Sequence, residues 1–395
     1  MKRYGWLLGC CLFLSIGMLW AADEPDLRML QQKAAQSRDM EGYVGVCKYL
    51  YQTEENPELL LLYADSIHQL ATKSKKPEQL VEYYIWASEG NFIKGDFQQG
   101  YALKRKAIAL AEKAGLKFAI SQSCCDMGYY CNVDARYDSA RYYFRKGLEA
   151  GEDLSEAGEA CRTMLTNYAS SFLFEGKTDS ALVYTIRASE RSAADKDTAM
   201  LIENLNQLGT IYRRKKNLEN CIANFEQALH LCELRGNHNA VAFIYGNIAT
   251  AYCDWNRPVD AIPFSEKAVE YALKTGNKRR IGTCYVNLGA IQIRLVQMRA
   301  EGIATLLKAI PILEEVNDRR LLCDAYNYLV NAYRMDGNLN QAMYYLQKLD
   351  KLAHEMQTDA ERFRYYQAKA GLLQESKNYT EAIVYYRRMI DMLRS

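Results

Sequence analysis

The sequence predicts an all-α solenoid, a tandem array of antiparallel helix pairs. Three observations carry this expectation. Small residues recur at positions 88, 128, 169, 209, 249, 289, 330 and 370, at intervals of 40, 41, 40, 40, 40, 41 and 40. A fixed period of a few tens of residues, held in register for so long, marks a repeat architecture. Helix-capping residues punctuate the chain at the same period. Proline, which breaks helix interiors, numbers only 6 in 395 residues.

The chain opens with Lys2-Arg3, an apolar run from Tyr4 to Trp20, then Ala21-Ala22 and the acidic Asp23-Glu24. A charged start, an apolar core and small residues at a cut site are the layout of a secretory signal. Residues 1–22 are therefore expected to be a signal peptide, cleaved after Ala21 or Ala22. An uncleaved anchor is the alternative, because the run is marginal in length for a membrane span. Leu7-Leu8-Gly9-Cys10 superficially fits a lipoprotein box, but the apolar stretch before Cys10 is too short. No later window is long and apolar enough to read as a span.

Residues 23–79 read as a helical N-terminal cap or a degenerate first repeat. Leu59-Leu60-Leu61-Leu62-Tyr63-Ala64 begins a helical pattern, and Lys73 to Pro77 reads as a turn.

Residues 80–395 read as about eight tandem repeats. In one of them, Asn204 to Tyr212 forms a first helix around Gly209; Cys221, Phe225 and Ala228 follow at second-helix spacing. Met127-Gly128 leads in the same way to Ala140, Phe144 and Gly147. Asn287-Leu288-Gly289 leads to Gly302, Leu306 and Ala309, with one extra residue in the turn. Small residues are needed where two helices cross closely. Asp96, Asn217, Asn338 and Asn378 stand just before second helices, as cap residues do. Gly115, Gly151, Gly236 and Gly276 are placed to close helices.

These residues resemble the tetratricopeptide repeat family. The likeness lies in Leu208-Gly209-x-x-Tyr212 of the first helix and in the Ala-or-Cys, Phe225, Ala228 spacing of the second, and it covers about residues 80 to 395. The family's usual period is about 34, so these helices are longer, as in a subclass of roughly 40-residue repeats. The family's closing proline is absent. The resemblance implies a right-handed superhelix of helix pairs whose first helices line a concave surface, and it implies binding rather than catalysis.

The charge balance narrows the partners. The chain has 50 Lys+Arg against 48 Asp+Glu, and without Lys2 and Arg3 the two counts are equal. Such a chain has no net field to draw nucleic acid or an anionic membrane. Neither partner is expected, apart from the N-terminal segment in a membrane. No phosphate loop, dinucleotide fingerprint, nucleophile elbow or His-Glu-x-x-His motif is present. No catalytic residue, cofactor or metal site is expected. Of the 4 histidines, His230-Leu231-Cys232 is the nearest approach to a ligand pair. The 12 cysteines lack Cys-x-x-Cys spacing, which argues against redox catalysis and structural zinc. Those in the repeats read as small buried hydrophobes, with a disulfide as the alternative in an exported chain. Asn378-Tyr379-Thr380 fits a glycosylation acceptor within a repeat turn.

The most suggestive constellation is polar. Asn167, Gln207, Asn247 and Asn287 stand two residues before the small position, one per repeat; Asn206 and Asn327 stand one step earlier and Asn331 follows. By the resemblance they would form a ladder on the concave surface. Amides both donate and accept, so a ladder of them grips an extended backbone without demanding its sequence. Arg213, Arg214, Arg294 and Arg334 lie one turn further and are candidates to hold a carboxylate. The competing reading is structural: such amides bond to the adjacent repeat and fix the stacking. Tyr212, Tyr252 and Tyr333, among 30 tyrosines, occupy packing positions.

The expected function is a scaffold or receptor that binds a peptide or protein segment, exported to a bacterial periplasm. The alternative is the periplasmic input region of a larger transcription regulator or histidine kinase, which long tetratricopeptide arrays behind a signal resemble. The sequence stops inside the second helix of the last repeat, leaving Ile383, Tyr386 and Ile390 without a following cap. The chain is a fragment of a longer one, or it dimerises through this end, or the face stays partly exposed.

Overall fold

A computed structural model describes residues 27–53, 56–356 and 358–394, except the side chains of residues 355 and 360. The expected signal segment lies outside the described residues. All regular structure among the described residues is helical. No described helix is long and apolar enough to cross a membrane.

The chain divides into two compact units, Met1–Asn204 and Leu205–Ser395. In the first, helices α1 (Leu27–Ser37), α2 (Met40–Thr53) and α3 (Pro57–Ser74) precede three pairs. These are α4 (Pro77–Lys94) with α5 (Phe97–Ala114), α6 (Lys117–Val133) with α7 (Tyr137–Gly151), and α8 (Gly158–Phe174) with α9 (Thr178–Ala194). The unit boundary falls within α10 (Thr198–Arg214). In the second unit the rest of α10 is followed by α11 (Leu218–Leu234), α12 (His238–Asp254), α13 (Pro258–Thr275), α14 (Lys278–Gln292), α15 (Arg299–Glu315), α16 (Arg319–Met335), α17 (Leu339–Leu352), α18 (Asp359–Glu375) and α19 (Tyr379–Arg394). The expected solenoid of antiparallel helix pairs is the fold found.

The recurring small residues sit where the helices of a pair cross. A Cβ on Gly128 would lie 2.3 Å from the Phe144 ring, and one on Gly209 would lie 2.5 Å from the Phe225 ring. Phe144, Phe225 and Leu306 are fully buried at one register of the second helices. The pattern of small residue against large is therefore a packing rule, and interiors packed this tightly register even one added methyl group.

The turns follow from chain conformation. Asp96, Asn217 and Asn338 cap their helices, each accepting from the backbone N–H three residues on. Gly115, Gly236 and Gly276 adopt the left-handed conformation just past a helix end. Gly151 does not close a helix as the sequence suggested. It lies within α7, and a Cβ there would meet the Ser121 hydroxyl at 2.3 Å, so its small size serves close packing. The extra residue after Gly289 is accommodated by a short 3-10 turn, Val296–Met298; another, Ser155–Ala157, lies in the longer interval between 128 and 169.

The order of packing places one set of helices inside. In the first unit α2 touches α4 and α6 touches α8; in the second α12 touches α14, α14 touches α16 and α16 touches α18. No two second helices among the described residues pack comparably. Within each unit, first helices crowd together while second helices fan apart, so the first-helix side is the inner one.

Candidate ligand-binding groove

On a first helix, residues six and two before the small position and one and five after it share a face, because these steps are close to whole turns. Of the polar residues singled out by the sequence, Asn167, Gln207, Asn247, Asn287, Asn331, Arg214 and Arg294 fall at these register positions; Asn206, Asn327, Arg213 and Arg334 stand one residue before them.

In the first unit the face is acidic and aromatic. That register holds Glu82 and the buried Trp86 and Glu89 from α4, and Asp126 and Tyr129 from α6. Beneath it lies an ionic core. Lys104 of α5 has 0% of its surface exposed, at the register held elsewhere by Phe144, Phe225 and Leu306. Its ammonium donates to Glu89, itself only 2% exposed, and to Asp126 Oδ2 at 2.9 Å. Tyr130 donates its hydroxyl to the other Glu89 oxygen at 2.6 Å. Burial alone would depress the Lys104 pKa, but Asp126 and Glu89 overcome it and hold the ammonium above its ordinary value. Burial raises the Glu89 carboxyl against the pull of Lys104. Glu82 accepts from the Trp86 indole N–H at 3.0 Å, and burial raises its pKa also. The sequence signal for this cluster was a lysine at an apolar register position.

Further along the first unit the ladder is closed on itself. Asn167 is buried, and its main-chain carbonyl accepts from the Asn132 side chain, Nδ2, at 3.0 Å. Thr166 donates to Asn204 Oδ1 at 2.9 Å, and Asn204 Nδ2 donates to Ser192 Oγ at 3.1 Å. Asn204 is thus the buried amide that ties α8, α9 and α10 within this unit. Glu203, its half-buried neighbour on α10, has its pKa pushed up to about 8 by burial and then by the charge of Asp197.

In the second unit the face is built of amides. Asn247 Nδ2 donates to Asn206 Oδ1 at 2.7 Å, joining α12 to α10. Both are half-buried, as is Gln207, and Asn287 on α14 is exposed at the register of Asn247. Asn327 is buried, and Asn331 bonds back to its carbonyl at 3.1 Å. Of the four arginines, Arg213 lies 3.6 Å from Asp254 and Arg334 donates to Glu375 at 2.6 Å. Both arginines stand four residues after a small position, and both carboxylates stand five after the next. That paired spacing was in the sequence. Arg294 is exposed and lies against Cys253, and Arg214 is exposed one turn along. Arg280, which the sequence reading passed over, lies with its guanidinium 5.3 Å from the centre of the Phe243 ring.

The ten described cysteines are free thiols, nine of them buried. Burial pushes Cys47 and Cys232 up to about 12 and Cys221 and Cys284 up to about 11, so these thiols are poor nucleophiles. No three His, Cys, Asp or Glu side chains among the described residues are grouped to hold a metal ion.

Residues 199–274 match a family model described as tetratricopeptide repeat. No curated protein is similar to this sequence. Among solved structures, the apo form of the quorum sensor NprR from B. thuringiensis is 15% identical, with a TM-score of 0.54 over 82% of this chain and 92% of that one. A Rap protein complexed with Competence and Sporulation Factor is 11% identical, with a TM-score of 0.51 over 89% and 96%. A signal-transduction ATPase with a tetratricopeptide repeat sensor from Pyrococcus horikoshii is 16% identical, with a TM-score of 0.53 over 93% of this chain and 56% of that one. At these identities the likeness is one of fold.

Proposed function

We propose that this chain, a member of the tetratricopeptide repeat family, binds an extended peptide or protein segment along the inner face of its first helices. The observation that carries this is the amide arrangement of the second unit. Asn206 and Asn247 are fixed in place by their mutual hydrogen bond, and Asn287 repeats the register with its amide exposed. Amides at one-repeat spacing match the alternating donors and acceptors of an extended backbone. The reading assigns the protein no catalysis; a preformed surface and repeated polar contacts are its whole mechanism.

The test is direct binding. Peptides selected on the purified chain from a random display library, labelled and titrated by fluorescence anisotropy, should bind the wild type. They should bind the Asn247→Ala, Asn287→Ala double variant at least tenfold more weakly. Unchanged affinity in the double variant would assign the amides to repeat stacking.

A second reading is a sensory input region of a larger regulator. Two of the similar folds are described as sensors, NprR and the Pyrococcus ATPase, and this supports the reading by analogy of fold. Export through residues 1–22 belongs to the same proposal; N-terminal sequencing of the protein recovered outside the cytoplasm checks it, and a chain starting at Met1 would refute cleavage. So does pairing of two copies through α19, where Ile383 is 49% and Ile390 47% exposed. Sedimentation of the wild type against Ile383→Glu reads that pairing.

A further inference from the structure

We infer that the turn end of the α14–α15 pair is a joint built into the second unit. It opens locally ahead of the turns on either side, and a ligand on the inner face holds it shut. The joint stands independently of the peptide-binding reading; only its closure by a ligand rests on that reading.

The neighbouring pairs show what this one lacks. In α12–α13 the rings of Tyr252 and Phe264 stack with centres 5.3 Å apart, and in α16–α17 those of Tyr333 and Tyr345 stack at 5.7 Å. Each first ring stands three residues after a small position, and each second ring three after the small residue of the second helix, Ala261 or Ala342. In α14–α15 the same two places hold Gln292 and Thr305, 1% and 6% exposed. A Cβ on Gly302 would lie 3.0 Å from the Gln292 Cβ. Gln292 therefore rests on the side of α15 that carries Arg299, Gly302 and Thr305 at steps of three. Gln292 Oε1 and Arg299 Nε are both buried with no hydrogen-bond partner among the described residues. A buried polar atom without a partner bears its full desolvation penalty, and opening returns it to water.

The backbone at this turn is looser as well. α12 and α16 run for 17 residues and reach their second helices across residues 255–257 and 336–338. α14 runs for 15 and needs residues 293–298, which include the 3-10 turn Val296–Met298. The neighbours lock their ends with a bond that spans five residues. The Arg257 N–H donates to the Tyr252 carbonyl and the Asn338 N–H to the Tyr333 carbonyl, each at 2.9 Å. At Gln292 the carbonyl instead accepts from the Leu295 N–H at 3.0 Å, a three-residue bond of poorer geometry. The middle of the pair is closed in the ordinary way, since a Cβ on Gly289 would meet Leu306 at 2.6 Å. The opening is thus confined to the turn end. Arg294, exposed on the inner face, stands two residues beyond Gln292, so a ligand lying over that edge of the groove covers the joint.

The experiment is hydrogen exchange of the full chain, read as protection factors at single amides. Amides 291–295 should be about ten- to hundredfold less protected than amides 251–257 and 332–338 of the neighbouring turns. The Gln292→Tyr, Thr305→Tyr double variant restores the ring pair. Gln292→Met removes the lone carbonyl at similar volume and does not require two rings to fit. Either should raise protection at 291–295 by about threefold or more, with 332–338 unchanged. A saturating peptide, selected on the full chain from a random display library, should slow exchange at 291 and 292, and by less in whichever variant has closed the joint. Equal protection at the three turns of the wild type, or protection that falls in Gln292→Met, would overturn the joint. Exchange at 291 and 292 that ignores the bound peptide would overturn closure by a ligand and leave the joint standing. Recovery of no peptide would overturn the peptide-binding reading and the closure with it, but not the joint.

Discussion

Asn247 Nδ2 donates to Asn206 Oδ1 at 2.7 Å across 41 residues of sequence, one repeat apart. The bond shows that the inner-face amides have two uses at once. It fixes α12 against α10, and it leaves each amide with capacity to spare, because a carboxamide has two donors and two acceptor sites. The structural and the ligand-binding readings of the ladder are therefore compatible at this pair, and they separate at Asn287, which is exposed.

That separation is measurable. Asn247→Ala should lower stability by about 1 kcal/mol through loss of a partly buried hydrogen bond. Asn287→Ala should leave the melting temperature unchanged within about 0.5 kcal/mol, as exposed substitutions do, while still weakening a selected peptide. Equal destabilisation by the two changes would contradict the assignment.

The ionic core of the first unit makes a sharper demand. Lys104→Met leaves the buried Glu89 carboxylate without its cation, and breaking a buried pair from one side typically costs about 3–5 kcal/mol. Lys104→Met with Glu89→Leu also removes the more deeply buried of the two carboxylates, leaving the partly exposed Asp126, and should recover much of that loss. Urea unfolding of both variants checks this; a single-variant loss under about 1 kcal/mol would show the pair to be well solvated.

Packing and turns give opposite signs for one methyl group. Gly209→Ala drives a Cβ into the Phe225 ring and should destabilise by about 1–3 kcal/mol. Ala135 adopts the left-handed conformation, with φ 57°, at the turn between α6 and α7. Ala135→Gly should be neutral or stabilising by up to about 1 kcal/mol, because the strain of the Cβ is relieved at some cost in chain entropy. Thermal melts should show a lower midpoint for Gly209→Ala and an unchanged or higher one for Ala135→Gly.

Stability should also respond to pH through Glu203. Its folded pKa of about 8 lies above the ordinary 4.5, so the folded chain binds this proton more tightly than the unfolded chain does. The group's favourable contribution is complete below 4.5 and is lost as the pH rises through 8. Glu203→Gln should therefore raise the melting temperature at pH 8.5 and change it little at pH 4.5. A gain of equal size at both would contradict the burial of the carboxyl.

The repeat was legible because its cause is steric. One small residue per crossing is required by Phe144 or Phe225 opposite it, so the spacing is written directly into residue size. Gly151 was misread because a glycine near a helix end serves equally as a cap or as a close-packed interior residue, and only the position of Ser121 distinguishes them. Lys104 was missed because its partners lie on two other helices. Arg213 and Arg334 were read as free to hold a ligand. Their partners, Asp254 and Glu375, stand 41 residues on, a distance set by how one pair stacks on the next. Arg280 was invisible for the reverse reason, since an arginine without a carboxylate partner is recognised only once its neighbours are in place.

The most direct measurement is hydrogen–deuterium exchange of the full chain with and without a saturating selected peptide. Protection on binding should appear in first helices, with its maximum over residues 243–254 of α12 and 280–292 of α14. Protection confined to the second helices α11, α13 and α15, or no change anywhere at saturation, would contradict it.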